Sequence, residues 1–192
     1  MHSLSPSRLE AFSDGVIAVI ITIMVLELKV PGREISNIEG LHQVLPLVLV
    51  YLLSFIQIGI YWVNHHYLID DVKQVTHGML WSNLALLFSL SLIPWATNWV
   101  AIRGISAFSI ALYSVVCAFP GFSWMTLSTI ICHRTNQPLA SGLPQQALSF
   151  FLYVGAIPMA YVNPYISLGM ICLVALFWLF PPRRILEITR KP

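Results

Sequence analysis

Three short stretches of this 192-residue chain carry polar side chains capable of chemistry in an otherwise apolar sequence. Arg8-Leu9-Glu10-Ala11-Phe12-Ser13-Asp14-Gly15 opens the first long apolar run. Trp62-Val63-Asn64-His65-His66 closes the second, and His77-Gly78-Met79-Leu80-Trp81-Ser82-Asn83 opens the third. An acidic residue inside a spanning helix is costly, ~2.5–3.5 kcal/mol at the bilayer centre and less near an end. Asp14, about one turn inside its run, therefore calls for a partner. Three chemistries suit these residue types: a structural hydrogen-bond cluster, a proton relay through carboxylate and imidazole, or a metal site. The metal reading is the weakest, because His65 and His66 are adjacent and point about 100° apart on a helix, whereas zinc pairs on helices are typically spaced i, i+4. Ser13 and Asp14 also suit helix caps. The helical-looking RLEAF before them argues instead for a buried cluster.

These stretches must be positioned by helices. Hydrophobic residues make up 57% of the chain and charged residues only 9%, with mean hydropathy +0.78. A water-soluble globule, a disordered chain and a nucleic-acid binder are excluded by that balance. Six apolar stretches, approximately 11–28, 44–68, 79–100, 105–132, 146–162 and 164–180, are separated by segments rich in Pro, Gly and charge. A span needs ~20 apolar residues, so the prediction is one all-α integral membrane domain over 1–192 with six transmembrane helices. Cys117, Cys132 and Cys172 fall in apolar runs and are expected as buried free thiols. No signal peptide is expected at the N-terminus. The segments on one side carry Arg8, Lys73, Arg134, Arg183, Arg184, Arg190 and Lys191, against Lys29, Arg33 and Arg103 on the other. The positive-inside rule then places both termini in the cytoplasm. In that topology all three polar stretches meet at the cytoplasmic end. Trp95, Trp99 and Trp178 lie near span ends and suit either interfacial belts or packing between helices.

At 100° per residue, Ala11, Gly15, Ala18 and Thr22 fall within about 60° of arc. Such a small-residue stripe lets helix backbones approach closely. Val19, Thr22, Ile23 and Leu26 form an i, i+3, i+4, i+7 face beside it. Periodicity alone does not choose between ordinary packing and a pore lining, and the Thr22 hydroxyl can be satisfied by its own helix.

Arg8-x-x-x-Phe12-Ser13-Asp14 followed by GVIAVIITIMVLEL, then YWVNHH and LWSNLALLFSLSLIPW, closely resembles the bacterial members of the transmembrane protein 175 family, relatives of the endolysosomal potassium channel. The resemblance is strong over the first half. Spans four to six match in length and hydrophobicity only. It implies a potassium-favouring cation channel of the bacterial plasma membrane, assembled as a homotetramer in the lipid bilayer. The resemblance further implies that the first helices line a central pore and that monovalent cations (K+ above all) permeate, with neither a cofactor nor a nucleic acid involved. It also implies that the constriction is apolar and falls at Val19, Ile23 and Leu26, with Thr22 between them. The family commonly has Ile or Leu where this chain has Val19, so a slightly wider ring is expected there. In the family the Ser-Asp pair is held by neighbouring helices. The positions that answer to that role here are His77, Trp81 and Asn83, followed by Arg8 and His65. Glu27 suits either cation attraction or a salt bridge with Lys29 or Arg33.

The rival reading is a proton-coupled secondary transporter using Asp14 and the cytoplasmic-side histidines. Such transporters often carry internal repeats and paired broken helices, and neither is found here. An enzyme is not indicated, since no nucleophile–base or metal spacing stands out.

Overall fold

The computed structural model describes residues 5–29, 31–32, 34–70, 72–135 and 143–179. The first helix, α1, runs Pro6–Ile23, with Pro6 at its first position, where a missing N–H costs nothing. It tightens into a 3-10 turn over Met24–Glu27 before Leu28 turns extended. Then follow α2 (Asn37–Asp70), α3 (His77–Arg103), α4 (Ala107–Thr135), α5 (Leu143–Val162) and α6 (Pro164–Leu179). The six expected stretches correspond one for one to these helices. Among the described residues, four helices, α1 with its 3-10 turn, α2, α3 and α4, are long and apolar enough to cross a membrane. The expected end of the sixth stretch, Phe180, lies outside the described residues.

Local chemistry sets the ends. Thr76 caps α3 by accepting from the Met79 amide at 3.4 Å. Gly104 stops it with φ +76°, a conformation that L side chains rarely adopt, and its amide donates to the Val100 carbonyl at 2.8 Å. Asn163 separates α5 from α6, accepting from the Tyr165 amide at 2.9 Å just before Pro164 opens the next helix. Pro46, Pro94, Pro120 and Pro158 sit inside helices, which neighbouring helices make tolerable in a membrane bundle. At 34 residues, α2 begins seven residues before the expected start. At 1.5 Å per residue it is about 51 Å long and outruns the ~30 Å hydrocarbon core, so hydropathy locates the membrane segment and not the helix end.

Helices α3 and α4 form the centre of the bundle, with 50% and 44% of their most apolar stretches buried against 28% for both α1 and α2. α1 is peripheral and packs against α2 and α3. Hydroxyls hold the interior together. Ser54 bonds Thr97 and Tyr113 at 2.8 Å each, and Ser167 donates to the Ala156 carbonyl at 2.7 Å. All three cysteines are free thiols. Cys117 is buried and Cys132 half-buried, but Cys172 is exposed on α6, correcting the expectation that all three are buried. Its neighbours Ile171 and Val174 turn inward instead. Trp178 packs inside, donating to Ser149 Oγ at 2.9 Å. Trp95 is exposed near the end of α3, and Arg103 lies over the Trp99 ring at 5.8 Å.

Candidate pore helix and its polar anchor

One side of α1 is buried and the other is bare. Leu9, Ser13, Ile17, Ile20 and Met24 face the bundle and are almost fully buried. Ala11, Phe12, Gly15, Ala18, Val19, Thr22, Ile23 and Leu26 are all exposed. The angular count therefore picks out a real face. A methyl group added to Gly15 would meet nothing within 4 Å, so its smallness serves no contact inside the protomer. The Thr22 hydroxyl donates to the Ala18 and Val19 carbonyls at 2.9 Å, as expected, leaving its oxygen lone pairs outward. Leu26 departs from the expected register: it stands in the 3-10 turn, not on continuous α-helix, yet at 73% it is more exposed than Val19 or Ile23.

The buried side is pinned by a relay of three fully buried side chains. Ser13 Oγ donates to the Leu9 carbonyl at 2.9 Å and accepts from Asn83 Nδ2 at 2.9 Å, while Asn83 Oδ1 lies 2.8 Å from His65 Nε2. Because the serine proton is directed at Leu9, the amide must donate to Ser13. The ring must then carry its proton on Nε2. His65 Nδ1 is left buried without a partner among the described residues. This relay ties α1 to α3 and α3 to α2. Ser13 and Asp14 lie two turns inside the helix, behind the cap position at Ser5, so the capping alternative fails.

A second, wetter tier joins α1 to α2. Trp62 Nε1 donates to Asp14 Oδ1 at 2.9 Å, and His66 Nδ1 sits 2.7 Å from Glu10 Oε1. Asp14 therefore has a partner, but not one of those expected. His77 and Trp81 are exposed, and their rings meet each other edge-on at 6.1 Å. The reason is helical register: Trp81 and Asn83 are two residues apart, about 200° around the helix, so only one of them can face Ser13. Arg8 is exposed and makes no side-chain bond among the described residues. Trp62, Glu10 and His66 are partners that the sequence pattern did not single out. The signal was present: Trp62, His65 and His66 stand at i, i+3, i+4 and share one face of α2. Two histidines that point to different partners, Asn83 and Glu10, also do not converge on an ion. Glu27 makes no ion pair with Lys29 among the described residues, and Arg33 lies outside them.

Because Asp14 remains partly exposed, losing its tryptophan donor is a modest change. Trp62→Phe keeps the ring and removes the N–H, and the expected cost is about 1 kcal/mol. The thermal midpoint of the detergent-solubilised protein, compared with that of Asn83→Ala, checks this. An equal or larger loss in Trp62→Phe would show that the outer tier dominates.

The family model described as "Endosomal/lysosomal potassium channel TMEM175" matches residues 8–94, the stretch that contains the bare stripe and both tiers of the anchor. A protein named as a potassium channel from Chryseobacterium sp. (strain P1-3) is 43% identical over 187 residues, covering 95% of this chain and 96% of that protein. A second, from Streptomyces collinus, is 31% identical over 189 residues, covering 90% and 91%. A crystal structure of a lysosomal potassium-selective channel TMEM175 homolog from Chamaesiphon minutus matches with TM-score 0.71 at 28% identity. It covers 91% of this chain and 96% of that one. The proton-coupled transporter finds no support among these relatives, and theirs is a channel family, not an enzyme family. With likeness carried across nearly its whole length, this chain belongs to the TMEM175 potassium-channel family.

Proposed function

We propose that this protein conducts K+ passively through a central pore lined by the first helices of four copies, each crossing the bacterial plasma membrane six times with both termini in the cytoplasm. The observation that carries this reading is the division of α1: one side anchored by a buried relay, the other a bare stripe of Ala11, Gly15, Ala18 and Thr22 beside Val19, Ile23 and Leu26. Small residues with nothing to touch inside the protomer suit close approach by copies of the same helix around an axis.

Val19, Ile23 and Leu26 then form stacked apolar rings. A ring of this kind gates by dewetting: when it is narrow, water leaves and an ion faces a desolvation barrier. Potassium holds its water less tightly than sodium, so partial dehydration favours potassium. Thr22 lies between the rings with its hydroxyl proton directed at its own helix, so its lone pairs can replace part of the lost hydration. Val19 is the smallest side chain of the three rings, which puts the narrowest point at Ile23 or Leu26. Conduction needs no cofactor; the permeant species is the ion itself.

Purified protein in liposomes with a K+ gradient tests the proposal. The expected flux is electrogenic, greater for K+ than for Na+, and independent of any second ion. Flux that requires a proton gradient restores the transporter. The Thr22→Val variant, nearly equal in volume, is expected to lower the K+/Na+ permeability ratio severalfold while keeping conduction. An unchanged ratio in bilayer recordings would remove Thr22 from the selectivity path.

A further inference from the structure

A cavity of about 30 Å³ lies between α2, α4, α5 and α6, and none of its described walls comes from α1 or α3. Its lining combines aromatic rings, among them Tyr61, Trp124, Phe150 and Trp178, with uncharged polar side chains such as Asn64 and Ser149, and its described residues include no Asp, Glu, Lys or Arg. Two residues of that wall each carry a buried donor with no partner among the described residues: the side-chain amide N–H of Gln57 and the indole N–H of Trp124. Both residues are more than nine-tenths buried, at 3% and 6% exposure. The other end of the Gln57 amide is already engaged, its Oε1 accepting from the Cys117 thiol at 3.3 Å. Buried donors are almost always paired, with protein or with a bound molecule. The volume suffices for about two waters or one short alcohol.

From these unpaired donors beside an uncharged cavity, we infer that the four helices form a binding site for a small neutral molecule whose oxygen accepts from Gln57 and Trp124. The absence of charge in the lining disfavours an ion. Water and the hydroxyl of a short membrane-soluble alcohol share the required chemistry. The site stands apart from the stripe on α1 and does not depend on the pore reading. It shares α2 with the anchor, however: Gln57 and Tyr61 face the cavity, while Trp62, His65 and His66 hold α1 and α3.

Gly121 offers the means to close the site. A Cβ there would meet Tyr61 Oη and Tyr153 at 3.8 Å and Phe150 at 3.9 Å, ordinary contact distances that a methyl can occupy without a clash. The experiment uses the full chain in lipid nanodiscs with ¹⁵N-labelled tryptophan, the Trp124 indole resonance being assigned by its loss in Trp124→Phe. One arm measures magnetisation transfer from water to that indole proton. The other titrates methanol, whose two heavy atoms match the space of about two waters, and follows the indole shifts. Water transfer without a saturable methanol shift makes water the occupant, and a saturable shift confined to Trp124 and Trp178 makes the site an alcohol site. Either result supports the inference provided Gly121→Ala, or the bulkier Gly121→Val, abolishes it while the remaining indole signals stay in place. Neither signal in the parent, or a signal unchanged in both Gly121 variants, overturns it.

Discussion

Replacing Ile23 or Leu26 by Asn is expected to raise single-channel conductance and to reduce the preference for K+ over Na+. Both side chains are exposed on the face of α1 and its 3-10 turn that is turned away from the bundle. In the proposed tetramer, each substitution would place four amides where the parent has four hydrocarbon groups. The rate follows the barrier exponentially, so a barrier lower by about 1.4 kcal/mol conducts tenfold faster. Sodium faces the larger dehydration term and gains most. The control is on the opposite side of the helix. Ile17 is 1% exposed and Ile21 half-buried, so Asn at either is expected to impair folding or yield without a comparable change in selectivity. Planar-bilayer recordings in bi-ionic K+/Na+ solutions decide between the faces. Equal selectivity changes at Ile21 and Ile23 would defeat the assignment of this stripe to the pore.

The second large effect is expected at Asn83. Asn83→Ala removes the donor to Ser13 and the acceptor for His65 together, inside a site with no exposure at any of the three residues. Each buried polar group left unsatisfied costs ~1–3 kcal/mol, so the total for the two is roughly 2–6 kcal/mol. Removing the imidazole as well relieves part of that penalty. The His65→Ala, Asn83→Ala double variant is therefore expected to lose clearly less than the two single losses combined. Thermal midpoints of the four proteins in the same detergent measure the coupling. Strictly additive losses would mean that the three side chains are neighbours rather than a relay.

Much of this architecture is legible in the order of the residues alone. Helix α1 can be located because its apolar run is unbroken after Gly15, and its bare side because small residues and a hydroxyl recur at helical spacing. The need of Asp14 for a partner follows from the cost of a carboxylate at that depth. Which partner it takes is not legible, because that depends on the rotation of α2 and α3 about their own axes. Both helices are apolar nearly all round. The turn of α3 that buries Asn83 necessarily carries Trp81 outward, and a choice by sequence proximity selects both. The turn of α2 that buries His65 brings Trp62 and His66 to α1. Nor does periodicity reveal that α1 tightens at Met24, since a 3-10 turn of four residues leaves little trace in hydropathy. The exposure of Cys172 is hidden for a related reason: apolar surroundings do not distinguish a protein interior from a lipid-facing surface.

The position of the Ser13 relay along α1 has a mechanical consequence. Among the described residues, the side-chain hydrogen bonds from α1 to other helices lie toward its N-terminal end, at Glu10, Ser13 and Asp14, and the contacts further along, at Ile17, Ile20 and Met24, are apolar ones that tolerate sliding. Val19 stands about 9 Å from Ser13 along the helix axis and Leu26 about 20 Å. The helix is thus a lever with its fulcrum near one end. A rocking of about 5° about Ser13 carries Val19 through roughly 0.8 Å but Leu26 through roughly 1.7 Å. In the proposed tetramer, the same motion in all four subunits would change the diameter at Leu26 by more than the radius of a water molecule. The Val19 level widens by about half as much, so an iris built on this lever opens as a cone.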